Sequence, residues 1–246
     1  MNGLAVATKP EGRGGFGVPA LPGVEIPVER LLRMMGYRQG APVRPQVRSM
    51  AEAMAGLASD AASPVAACCR VSITQCTAAG LELSTGTRFH GPVFAAGLSG
   101  CAEAVVFVLS LGTRFESTQK NLAAAGNTLE AYMLEVAGWY GIEAATRAFR
   151  SNLEALVRSE GLALTPRMGP GYLSRVDGKK VEWPLEDQAA LFALFGEQAL
   201  PARLLEGGFA MTPKMSRTGL YGLRPAERSQ NESKWRFLNL PGEESR

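Results

Sequence analysis

The chain has 246 residues, long enough to bury a substantial core as one large domain or two small ones. Its 26 Lys and Arg stand against 23 Asp and Glu, a net charge of +3 with the basic residues scattered, which is too balanced for an electrostatic nucleic-acid binder. No apolar run reaches the roughly 18 residues of a membrane-spanning helix, and the first residues lack the basic-then-apolar pattern of an export signal, so the expectation is a cytoplasmic protein with no membrane role.

In chain order, residues 1–24 are rich in Gly and Pro and read as a flexible arm. The stretch IPVERLLRMMGY predicts a helix over 26–37, with Pro27 in its first turn and Gly36 as a stop. A linker, QGAPVRP, leads to a second helix over 47–62. Cys68 to Thr77 alternates and is β-branched, which predicts a strand, and LELSTG (81–86) predicts another. A short helix follows Gly91-Pro92, and the run AVVFVLSL predicts a buried strand ending at Gly112. A long helical region spans roughly 116–160, with apolar residues at three- and four-residue steps from Tyr132 through Trp139 to Leu156, and with Gly126, Gly138 and Gly141 as points of close approach or breakage. Glu143 falls at the edge of that apolar face. Pro184 and Gly196 bracket a further helix, and ARLLEGGFAMTPKMSRTGLYGL reads as strand, Pro turn, strand. The polar segment 224–246 reads as a loose tail. Helices and strands mix without regular βαβ alternation, so the predicted fold is α+β: a mixed or antiparallel twisted sheet with flanking helices, carried by one domain over 25–223.

Several chemistries are absent from the sequence. Four cysteines (Cys68, Cys69, Cys76, Cys101) show no CxxC pair and no His at zinc spacing, and read as buried free thiols of a reducing compartment. His90, the one histidine, sits in a turn, RFHGP, and cannot make a two-His metal site; no resident metal is expected. There is no GxGxxG, GxxxxGK[ST] or GxSxG. GRGGFG at 12–17 has neither the strand before it nor the helix after it that phosphate cradling requires. No Asp-x-His-x-x-Gly is present, so the chain lacks the lower axial ligand signature for cobalamin. No catalytic residue is assigned.

The segment TPRMGPGYLSRVDG (165–178) locks its backbone with Pro and Gly and carries an Arg and a Tyr. RMGPGY (167–172), followed by WPLEDQAALFALFG and by FAMTPKMSRTGLYG (209–222), resembles the activation (reactivation) domain of cobalamin-dependent methionine synthase, whose pattern is Arg-Pro-x-Pro-Gly-Tyr, then a Pro and a Gln ahead of a Leu-Phe helix, then Met-x-Pro and a Ser/Thr-Gly turn ending in aromatics. The early LLRMMGY helix and SGCAEAVVFVLSLG agree with it, and the chain resembles a stand-alone, single-domain relative.

The resemblance implies binding of S-adenosylmethionine, with cobalamin reached only through a corrinoid-binding partner protein served by an electron donor. It implies that Arg167 forks onto the ligand carboxylate, that Gly169 offers its main chain to the adenine edge, that Tyr172 and Tyr221 face the ribose or the sulfonium, and that Glu143 takes the ammonium. Taken singly, Arg167 reads first as a solvated loop residue and Glu143 as the polar edge of a helix, while the two tyrosines read equally as packing. Departures from the pattern are Met168 in the first Pro position, the added LSRVDGKKVE segment, which reads as a small hairpin at the site mouth, and Lys214-Met215-Ser216-Arg217-Thr218 in place of Lys-Ser-Val-Ser. The function expected is support of reductive methylation of a corrinoid on a separate protein. The alternatives are an S-adenosylmethionine-dependent enzyme acting on a small molecule in the same pocket, or a non-catalytic nucleoside-binding module.

Overall fold

The alternating β-branched run after Pro64 and the apolar run AVVFVLSL become two neighbouring strands, and the rest of the molecule is arranged on their two faces. The computed structural model describes residues 14–15, 20–176, 178–226 and 236–237. Its elements are β1 (Gly14–Gly15), α1 (Val28–Met34), α2 (Pro45–Ala61), β2 (Val65–Thr77), β3 (Gly80–Leu83), β4 (Arg88–His90), α3 (Val93–Gly97), β5 (Glu103–Ser110), α4 (Thr113–Ala124), α5 (Thr128–Arg158) and β6 (Leu162–Leu164). Then come β7 (Leu173–Val176), β8 (Lys179–Glu182), a 3-10 turn (Leu185–Asp187), α6 (Gln188–Ala193), β9 (Arg203–Leu204), β10 (Met211–Thr212), β11 (Ser216–Pro225) and β12 (Arg236–Phe237).

The main sheet runs β4-β3-β2-β5-β11-β6, with β1 also beside β2, and every pairing in it is antiparallel. The fold is therefore α+β with an antiparallel sheet, as its sequence pattern predicts. Two small antiparallel units, β9–β10 and β8–β7–β12, lie outside it.

Because side chains alternate across a strand, β5 feeds both faces. Val105, Phe107 and Leu109 join the core under the helices, while Ala104, Val106 and Val108 join a second core on the opposite face; all six are fully buried. The first core is closed by α1, α2, α4 and α5 through Leu31, Ala55, Phe115, Leu134, Phe149 and Leu153. The second is closed by α3, α6 and Trp183, whose ring stands edge-on to Phe89 and Phe94 at 5.0 Å from each. Asp187 pins this layer: it accepts from the Trp183 indole Nε1 at 3.0 Å and from the His90 backbone N–H at 2.5 Å, and its other oxygen lies 2.7 Å from His90 Nδ1.

The long helical region divides at Gly126, which has φ +80°, into α4 and α5; the left-handed conformation there turns one helix back onto the other. Tyr132 and Trp139, placed on the apolar stripe by periodicity, are exposed in the structure, while Met133, Val136, Ile142 and Phe149 turn inward. The segment read as an arm lies outside the described residues except for Gly14–Gly15, which pairs with β2, and 20–24, where Val24 is already buried in the first core. Of the segment read as a tail, Arg224 and Pro225 finish β11 and pair with β6, Ala226 N–H donates to the Gly161 carbonyl at 3.0 Å, and Arg236–Phe237 pairs with β7; the rest lies outside the described residues.

Candidate functional site

The site is built on β11. Its odd-numbered residues from Arg217 to Leu223 face α5, and its even-numbered ones face the second core. The chain leaving β6 continues along the free edge of β11. Thr165 N–H donates to the Gly222 carbonyl at 3.0 Å, and the Gly222 N–H donates to Thr165 Oγ1 at 2.8 Å. Met168 and Leu220 then exchange two backbone bonds of 3.0 and 2.9 Å. Met168 itself, where the resembled pattern has Pro, is buried and packs where Gly97 leaves room: a Cβ on Gly97 would lie 2.6 Å from its sulfur. The Pro and Gly of the 165–172 loop thus shape an edge-hugging segment that turns away at Gly169–Tyr172, where the Tyr172 N–H donates to the Gly169 carbonyl at 3.3 Å.

The residues nominated from sequence come together around this strand. The Arg167 guanidinium lies over the Tyr172 ring at 4.8 Å from its centroid. Gly169 is enclosed: a Cβ there would stand 3.1 Å from both the Thr218 carbonyl oxygen and the Tyr172 ring. Glu143, half-buried on α5, accepts from Arg217 Nη1. The side chain of Arg217 is 2% exposed against 35% for Glu143, so the cation is inside and the carboxylate is at the mouth. Arg217 Nε is buried without a hydrogen-bond partner.

Tyr221 corrects an expectation. It does not offer its ring to a ligand: it is 1% exposed, stacked on Phe107 at 5.4 Å and tilted against Phe149 at 6.5 Å. Position parity explains this, because an odd-numbered residue in the middle of β11 points under α5. Burial pushes its phenol up to about 12, against the pull of Arg167, Arg150 and Arg217, all near enough to favour the phenolate.

Arg150 escaped the reading of the sequence. It lies 5.6 Å above the Tyr221 ring, donates to the Thr165 carbonyl at 3.3 Å, and pairs with Glu154 at 2.7 Å. The signal for it was present: 143 and 150 are seven apart, two turns along one helix face. Three guanidiniums and the Glu154 carboxylate therefore act on one buried phenol.

No protein-family model matches the chain, and no curated protein matches it. Among solved structures, it is similar to the MetH reactivation domain bound to AdoHcy, at 16% identity and a TM-score of 0.47, over 82% of this chain and 74% of that one. A likeness of that size assigns no residue and no ligand here.

The remaining candidates are quieter. A cavity of about 310 Å³ lies away from β11, lined by Glu29, Tyr37, Arg38 and Arg48 among others, all at the surface of α1 and the start of α2. Among the described residues, no group of three or more His, Cys, Asp and Glu is placed to hold a metal ion, and no helix is long and apolar enough to cross a membrane. His90 has an exposed side chain, as expected of a turn residue, but its Nδ1 is fixed on Asp187. The added segment forms the β7–β8 hairpin springing directly from Tyr172; Asp177 of its turn lies outside the described residues. Of the four cysteines, Cys68 and Cys69 are buried and Cys76 and Cys101 half-buried.

Proposed function

We propose that the chain binds S-adenosylmethionine where α5, β11 and the 165–172 loop meet, and that it supports reductive methylation of a corrinoid held by a separate, cytoplasmic protein. The observation that carries this reading is the placing of Glu143 of α5 and of Arg167, Gly169 and Tyr172 of one loop around the first half of β11. In it, Arg167 forks onto the ligand carboxylate while Tyr172 backs its guanidinium. The fixed turn at Gly169 presents main chain to the adenine edge. Glu143 meets the ammonium with the oxygen that Arg217 does not take. The corrinoid, reduced by one electron from a separate donor, supplies the methyl acceptor. This chain contributes proximity and alignment, and needs no acid or base for it.

A second reading, an enzyme acting on a small molecule at the same place, is favoured by one feature. Arg217 occupies the carboxylate that the resemblance reserves for the ligand ammonium.

Calorimetric titration with S-adenosylmethionine tests the first part, using wild type and Arg167→Ala. Micromolar binding weakened in the variant by about 1.5–3 kcal/mol is expected from the loss of a charge-assisted fork. Absence of binding at millimolar ligand would remove the reading. With binding in hand, added cob(II)alamin and reductant should yield methylcobalamin on the first reading; product formed from S-adenosylmethionine without cobalamin marks the second.

A further inference from the structure

We infer that the cavity between α1, the turns at 36–41 and the start of α2 is a binding site for a phosphate monoester, an inference that does not depend on the adenosyl-ligand reading above. The cavity holds about 310 Å³, the size of a small-ligand site. Two turns shape it. The Gly36 and Tyr37 N–H groups donate back to the Arg33 and Leu32 carbonyls, each at 3.0 Å, and α1 ends there with Gly36 at φ +95°. The Ala41 N–H then donates to the Arg38 carbonyl at 3.1 Å, with Gly40 at φ +76°. The doubled chain places Arg38 in one lining with Arg33 of α1 and Arg48 of α2.

Charge selects the ligand. Three guanidiniums stand against Glu29, the one carboxylate of the lining, a net +2. Glu29 is held by Arg48 at 2.7 Å, and Glu52, which also acts on Arg48, lies outside the lining. Among the described residues, the Arg33 side chain has only the neutral Gln39 oxygen, at 3.5 Å, and the Arg38 side chain has no hydrogen bond or ion pair. Cations gathered on a surface without anions repel one another. A phosphate monoester answers both halves of the lining. It carries about −1.5 to −2 charge at pH 7, with three acceptor oxygens that take guanidinium forks. Its organic group meets an apolar floor: Leu32 is part of the first core, and Tyr37 and Val43 pack against it. The Glu29 side chain is 67% exposed and can turn to water, which releases Arg48 to the same phosphate.

The test is calorimetric titration of the full chain with phenyl phosphate, inorganic phosphate and benzoate, in wild type, Arg38→Gln and Glu29→Gln. Phenyl phosphate should bind wild type with a dissociation constant of about 1 mM or less. Inorganic phosphate lacks the ring and benzoate lacks the second charge, so each should bind about tenfold more weakly. Arg38→Gln should weaken phenyl phosphate about tenfold. Glu29→Gln removes the competing carboxylate and should tighten it about threefold. Both side chains are exposed, so the fold survives both changes, and thermal unfolding checks this. No heat with phenyl phosphate at about 10 mM overturns the inference. So does binding that Arg38→Gln leaves unmoved, or that benzoate matches, since that is unspecific attraction to a basic surface. Phenyl phosphate binding no tighter than inorganic phosphate overturns the ester, and weaker binding in Glu29→Gln overturns the role given to the charge of the lining. None of these outcomes touches the titration with S-adenosylmethionine.

Discussion

A Cβ placed on Gly219 would stand 2.2 Å from the carbonyl oxygen of Met168, and backbone cannot yield as a flexible side chain does. The loop carrying Arg167 and Tyr172 is thus seated on β11 by the absence of a side chain, and by the two bonds between Met168 and Leu220. Gly219→Ala should lift the loop from the strand at a cost of about 2 kcal/mol or more. Urea unfolding should show the lower midpoint, and limited proteolysis should find new cleavage within 165–172. An unchanged midpoint would mean that the loop does not depend on that approach.

Asp187 and His90 are in contact but unequal. The carboxylate is buried with three donors on it, whereas the imidazole side chain is 71% exposed. Asp187→Ala strands the Trp183 indole N–H and the His90 backbone N–H and should cost about 3 kcal/mol. His90→Ala removes only an exposed partner and should cost less than about 1 kcal/mol. Equal losses in thermal unfolding would show that the ion pair, and not the buried anchor, matters.

Tyr221 should limit stability in alkali. Burial raises its phenol from 10.0 to about 12, so the folded state holds a proton that the unfolded chain has released. Its contribution is whole below pH 10 and is lost as pH rises through about 12, an effect on the order of 2–3 kcal/mol. Denaturant midpoints measured from pH 9 to 12 should fall more steeply in wild type than in Tyr221→Phe. Cys68, raised from 9.0 to about 12 by burial, adds the same fall to both proteins and cancels in the comparison. Parallel curves would dispose of the assignment to Tyr221.

The thiols should react in an order set by burial. Cys76 is half-exposed, Cys101 is pushed up to about 11 by burial, and Cys68 to about 12. Maleimide at pH 7 followed by mass spectrometry should label Cys76 first, Cys101 more slowly, and Cys68 and Cys69 only after unfolding. Early labelling of Cys68 would mean that β2 opens in the native state.

Much of the architecture was legible because it rests on local signals. The apolar run 104–111 reads as a buried strand and is one, and of the three glycines offered as points of close approach or breakage in the long helical region only Gly126 breaks it. The three-residue strand β4 carried too few residues to show a period, and it forms because β3 pairs with it. At the site, the resemblance of RMGPGY pointed to Arg167 and Gly169, on a loop that the structure seats on β11. Tyr221 was misread because its exposure depends on which face of β11 meets α5, and no local pattern in GLYGL fixes that. The hold of Arg217 on Glu143 was equally out of reach, since it joins two elements that only the sheet brings together.

The strand order has a consequence for synthesis. β11 lies between β5 and β6, and both of those leave the ribosome before it. Until residues 216–225 arrive, the edge of β5 stands open with Val105, Phe107 and Leu109 along it, an invitation to pair with another chain. The surroundings of Arg217 are therefore completed late: a nascent chain halted before β11 lacks the strand on which the 165–172 loop is seated, and wears an adhesive edge in its place.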